Sequence, residues 1–117
     1  MNTNHPHQNL DPVINAPLRL TIMSALGGVD SADFAALREI VQITQPNLSK
    51  QLATLEAAGY IEIIKGKAGR RPRTWATLTS TGRTALTQHI RALHEITALA
   101  KTTIETSDAD RLPAARQ

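Results

Sequence analysis

Between Thr44 and Thr54 the chain gathers side chains that hydrogen-bond: Thr44, Gln45, Asn47, Ser49, Lys50, Gln51 and Thr54. Amides of this kind match the paired donor and acceptor on the major-groove edge of adenine, and a cation suits the O6 and N7 acceptors of guanine. From Ala35 to Thr54 the single acid is Glu39. A second group follows at Lys65, Lys67, Arg70, Arg71 and Arg73, with no acid among them. Cations so placed suit phosphate oxygens, and Arg70 or Arg71 could enter a narrow minor groove. Each group also has a plainer reading, the first as the outer face of an amphipathic helix and the second as a solvated turn. Their arrangement favours binding. Residues 63–94 contain no acid but carry Arg83 and Arg91 besides the five cations, and uncompensated cations repel one another unless an anion is near.

Other chemistries find less support. The chain has no cysteine, which excludes disulfides, thiolate metal sites and cysteine nucleophiles. His89 and His94 lie five apart, out of line on a helix, and His5 and His7 fall in a segment expected to be a tail. Ser49 lacks the setting of a nucleophile, and no Gly-x-Ser-x-Gly, phosphate loop or paired-carboxylate arrangement occurs. No catalytic residue, metal site or cofactor is expected. The 117 residues suffice for one domain, and the 41% hydrophobic and 20% charged content suits a folded one. The net charge of +3 and pI near 9.8 are only mildly basic, so the distribution of charge is the informative feature. No run approaches the ~18 apolar residues of a membrane span and no export signal opens the chain, which predicts a cytoplasmic protein with no membrane partner.

The positioning elements follow from periodicity. Pro17 suits a first helical turn, with Asn15 as its cap; Leu18, Ile22 and Leu26 form a stripe, and Gly27 and Gly28 stop it. Val29 and Asp30 suit a very short strand. Residues 31–33 offer caps for a second helix with Phe34, Leu37, Ile40 and Val41 inward. After a tight turn at 42–44, Thr44 caps a third helix, Pro46 sits in its first turn, Leu48, Leu52, Leu55 and Ala58 face inward, and Gly59 ends it. Residues 60–65 and 74–78 read as strands flanking a basic loop at 66–73. A last helix starts at Thr79, Ser80 or Thr81. Its Leu86, Ile90, Leu93, Thr97, Ala100 and Ile104 recur by fours and threes, and Ile96 and Leu99 widen the stripe beyond the needs of a small domain. The expected organisation is a flexible tail at 1–10, a domain at 11–106 and a second flexible tail at 107–117.

Three helices with a tight turn between the second and third are the ingredients of a helix-turn-helix. The runs Phe34-Ala-Ala-Leu37, Thr44-Gln-Pro-Asn-Leu-Ser-Lys-Gln-Leu52, Leu55-Glu-Ala-Ala-Gly-Tyr60, Gly69-Arg-Arg-Pro-Arg-Thr74 and Leu78-Thr-Ser-Thr-Gly-Arg83 resemble winged-helix transcriptional regulators related to the MarR and ArsR groups. Pro46 departs from the residue often found there. The resemblance implies a mainly α, α+β fold: a winged helix-turn-helix with a two-stranded wing and a long C-terminal dimerisation helix. It implies that residues 45–58 are a recognition helix, that 66–73 are the wing, and that such proteins repress from inverted-repeat operators. The expected partners are double-stranded DNA and a second copy of the chain, with room for a small-molecule effector that no residue identifies. The alternative is a winged helix that docks protein; such a wing would expose apolar residues, whereas this one carries Lys and Arg.

Overall fold

The computed structural model describes residues 5–110, with side chains as far as residue 102. Pro6–Asn9, inside the segment expected to be a tail, forms one 3-10 turn against the last helix. Asp11 then closes a tight turn on itself, its Oδ1 accepting the N–H groups of Val13 (2.8 Å) and Ile14 (3.2 Å). That turn drops Ile14 into the core.

Helix α1 spans Pro17–Gly27. Its cap position is Ala16 in extended backbone, not Asn15, and no side chain caps it; the fixed φ and missing N–H of Pro17 suffice to start the turn. Ile22, Met23 and Leu26 are buried. A two-residue strand, β1, lies at Ala32–Asp33 rather than at Val29 and Asp30. The shift has a local cause: Asp33 ends the strand and at once caps α2, Phe34–Val41, accepting the N–H of Ala36 at 2.7 Å. Within α2, Leu37 is buried while Ile40, expected inward, is 59% exposed. Eight residues make barely two turns, and Leu37 and Val41 already fill the side facing the core. Gln42 closes α2 in the left-handed region, φ 63°, and so turns the chain sharply toward α3.

Helix α3 spans Gln45–Ala57, with the Thr44 hydroxyl accepting the N–H of Asn47 at 3.3 Å. Leu48, Leu52 and Leu55 are fully buried; truncating any one to alanine would cost about 2–5 kcal/mol. Gly59 carries the positive φ that ends the helix. Strands β2, Ile61–Ala68, and β3, Arg71–Leu78, then pair antiparallel along their full length, from Ile61 opposite Leu78 to Ala68 opposite Arg71. The expected eight-residue loop is therefore a two-residue turn, Gly69 and Arg70, with Gly69 at φ 65° as a tight hairpin turn asks of its first central residue. β1 joins the far side of β3, giving a three-stranded sheet in the order β1, β3, β2.

Helix α4 runs Ser80–Asp110, past the expected boundary at 106; residues 111–117 of the expected tail lie outside the described residues. Its cap is Thr79, whose hydroxyl accepts the N–H of Gly82 (2.9 Å) while donating to the Gly59 carbonyl (2.6 Å). The core of Leu, Ile and Met side chains sits between α1, α2, α3 and the base of the sheet, and the start of α4 closes it with Leu86.

Candidate nucleic-acid interface

The cap at Thr44 and the buried leucines fix which faces of α3 are turned outward. Ser49 and Lys50 are exposed, as are Thr44 and Gln45, while Asn47, Gln51 and Thr54 are half-buried along one flank. Two of these side chains are engaged by other helices. Gln45 accepts a hydrogen bond from Arg38 on α2 (3.3 Å), and Gln51 accepts one from Arg19 on α1 (2.9 Å). Gln51 in turn donates to Asn47 Oδ1 (2.9 Å), so the two amides act as a pair. Thr54 donates to the Lys50 carbonyl of its own helix (3.3 Å). Arg19 and Arg38 thus add cations beside α3 that sequence reasoning missed, because they belong to other helices.

The hairpin register divides the wing cations between two faces. Paired residues share a face and neighbours alternate, so Lys65 and Lys67 continue the face of Ile61, Ile63 and Ala76. Arg71 and Arg73 lie on the other face with Trp75. Arg73 is not the free cation its local sequence suggests. It pairs with Asp33 at 2.5 Å, because Asp33 lies opposite Trp75 and on the same face of β3, and its guanidinium sits 6.0 Å from the Trp75 ring centroid. Asp33 is held below the usual carboxylate range, first by the Ala36 N–H and then by Arg73. A β-carbon at Gly66 would come within 3.0 Å of the Trp75 ring, so this glycine serves packing rather than a loop. Lys65, Lys67, Arg70 and Arg71 are all exposed, and among the described residues the one ion pair is that of Arg73.

On α4 the stripe separates. Leu86 is taken up by the chain's own core, and His89 and Ala92 are buried beneath it toward the N-terminal segment. Leu93 and Ile96 are half-buried, while Ile90, Thr97, Leu99 and Ala100 are exposed; the side chain of Ile104 lies outside the described residues. Among the described residues no cluster of three His, Asp or Glu side chains could hold a metal ion, and no helix is long and apolar enough to cross a membrane.

Three short helices, an outward polar α3 and a following basic hairpin coincide with a known domain: residues 18–97 match the winged helix DNA-binding domain. The chain belongs to that family. This winged helix chain is 32% identical over 89 residues to the uncharacterized protein MJ0432 of Methanocaldococcus jannaschii, covering 76% of the chain and 94% of that protein. A transcriptional regulator homologue from Pyrococcus horikoshii OT3 has a TM-score of 0.66 at 27% identity, over 78% of this chain and 87% of that one. A regulator of the MarR family from Enterococcus faecalis V583 shares the fold, with a TM-score of 0.64 at 22% identity over 93% and 96% of the two chains. The β2–β3 hairpin is the wing of this winged helix, and β1 is its third strand. The family is one of DNA-binding domains.

Proposed function

We propose that the protein is a sequence-specific, double-stranded DNA-binding regulator, acting as a homodimeric repressor on an inverted-repeat operator. Helix α3 enters the major groove, which is wide enough for a helix, and the wing reaches the flanking backbone or minor groove. The observation that carries this reading is the pairing of an outward hydrogen-bonding face on α3 with exposed Lys65, Lys67, Arg70 and Arg71, which have no acid partner among the described residues. Lys50 and Asn47 read bases, and the wing cations hold phosphate. Arg73 serves the wing's own structure.

The second copy packs along α4. Ile90, Leu99 and Ala100 are exposed on a helix whose earlier turns bury Gly82, Leu86 and His89 in the domain, and the apolar repeat continues beyond them, as in a helix that packs along another. Two-fold symmetry would then set two copies of α3 about 34 to 36 Å apart, in successive major grooves. Selection of bound duplexes from a random-sequence library tests the reading. An enriched inverted repeat with half-sites about one helical turn apart is expected, and retention of DNA without any enriched sequence contradicts it.

A further inference from the structure

Chemistry forces the orientation of the amides on α3. Arginine has only donors, so Gln51, facing Arg19 Nη1 at 2.9 Å, must turn its Oε1 toward it. Its Nε2 is then left to face Asn47, and Asn47 must answer with Oδ1, at 2.9 Å. The chain of polarity ends at Asn47, whose Nδ2 keeps two N–H donors for whatever lies outside. Arg19 is itself anchored, since its Nε donates to the Val13 carbonyl at 2.6 Å. All three side chains are half-buried, sheltered enough to hold the arrangement and open enough for Asn47 to be reached.

The usual asparagine contact to adenine needs Oδ1 to accept from N6 while Nδ2 donates to N7. Here that oxygen is turned toward Gln51, which takes one of its two lone pairs, whereas both N–H groups of Nδ2 remain to donate outward. Building on the DNA-binding function above, we propose that Asn47 reads an acceptor edge, guanine O6 and N7, in preference to adenine, and that Arg19 is the positioning residue that sets this polarity through Gln51. Gln51 is a relay between the two and not a base reader. The specificity of α3 is therefore written partly in α1.

Selections with the full chain test this, each variant first checked for folding by circular dichroism. Asn47→Ala marks the operator position that Asn47 reads, and wild-type guanine there is expected; adenine there overturns the proposal. Gln51→Glu offers acceptors at both ends, so Asn47 must turn Nδ2 inward and present Oδ1. The preferred pair at that position should then change to one presenting cytosine N4 or adenine N6, and unchanged guanine overturns the relay. Arg19→Met should cut discrimination at that position about tenfold while the rest of the motif persists; an even loss at every position would reduce Arg19 to a fold support and overturn its role. A wild-type selection with no motif removes the DNA-binding reading and this one together, whereas a motif that Gln51→Glu and Arg19→Met leave intact removes this one alone. Should Gln51→Glu not fold, the base found at the Asn47 position still decides.

Discussion

His89 is buried on α4 and accepts the Asp11 N–H through Nδ1 at 3.0 Å, which requires the neutral ring with its proton on Nε2. Burial holds its pKa below the ordinary 6.5, with the Asp11 carboxylate opposing the shift. The unfolded chain therefore binds a proton below about pH 6.5 that the folded chain does not, and stability falls as the pH drops through that value. The thermal midpoint should decline between about pH 7.5 and about pH 5, and His89→Asn, which cannot titrate there, should decline less; parallel profiles would show that His89 contributes nothing. Tyr60 titrates at the opposite extreme: donating to Asp11 Oδ2 at 2.5 Å pushes it up to about 12. At the wing, Arg70→Ala with Arg71→Ala should weaken binding to every sequence and lower the slope of log affinity against log salt by about 2. An unchanged slope would take these residues off the phosphates. The site was legible in part. Thr44, Lys50 and the free wing cations follow from local spacing, but Asp33 lies 40 residues from Arg73 and Arg19 lies 32 from Gln51. Such partners are set by topology, and no window of sequence contains them.

At the scale of elements, the junction between α3 and α4 is held by backbone contact. A β-carbon on Gly82 would come within 2.0 Å of the Tyr60 carbonyl, the same oxygen that accepts the Thr79 N–H at 3.0 Å. Gly82→Ala must push the start of α4 off Tyr60, and a loss of about 1–3 kcal/mol by denaturant titration is expected; a neutral result would mean the junction yields freely. Helix existence and most inner faces could be read from sequence because caps and periodicity are local, as with Thr44, Leu48, Leu52 and Leu55, but Ile40 turns outward and Asn15 caps nothing. Strand lengths could not. Gly66, Gly69 and Pro72 look like loop residues, yet cross-strand pairing carries the ladder to Ala68 and Arg71, and the lone break is at Gly69 and Arg70. The position of β1 was equally hidden, since two residues have no periodicity and only their pairing with Trp75 and Ala76 defines them.

For the whole molecule, the single apolar repeat of α4 conceals one role in the fold and, under the proposed function, a second in pairing two copies. Leu86 belongs to the fold, and its replacement by a charge would unfold the domain. Leu99 is 57% exposed and far enough along the helix to be tested apart from folding. Leu99→Asp should leave the domain folded by circular dichroism while it sediments as a monomer, with weakened operator binding; a variant that remains dimeric would place the interface elsewhere. Specific recognition of duplex DNA is tested most directly by a gel shift with the DNA upstream of the protein's own gene, in excess competitor DNA and at several salt concentrations. A discrete complex that resists competitor and weakens as salt rises is the predicted result. A complex lost to competitor, or none even at low salt, would contradict it.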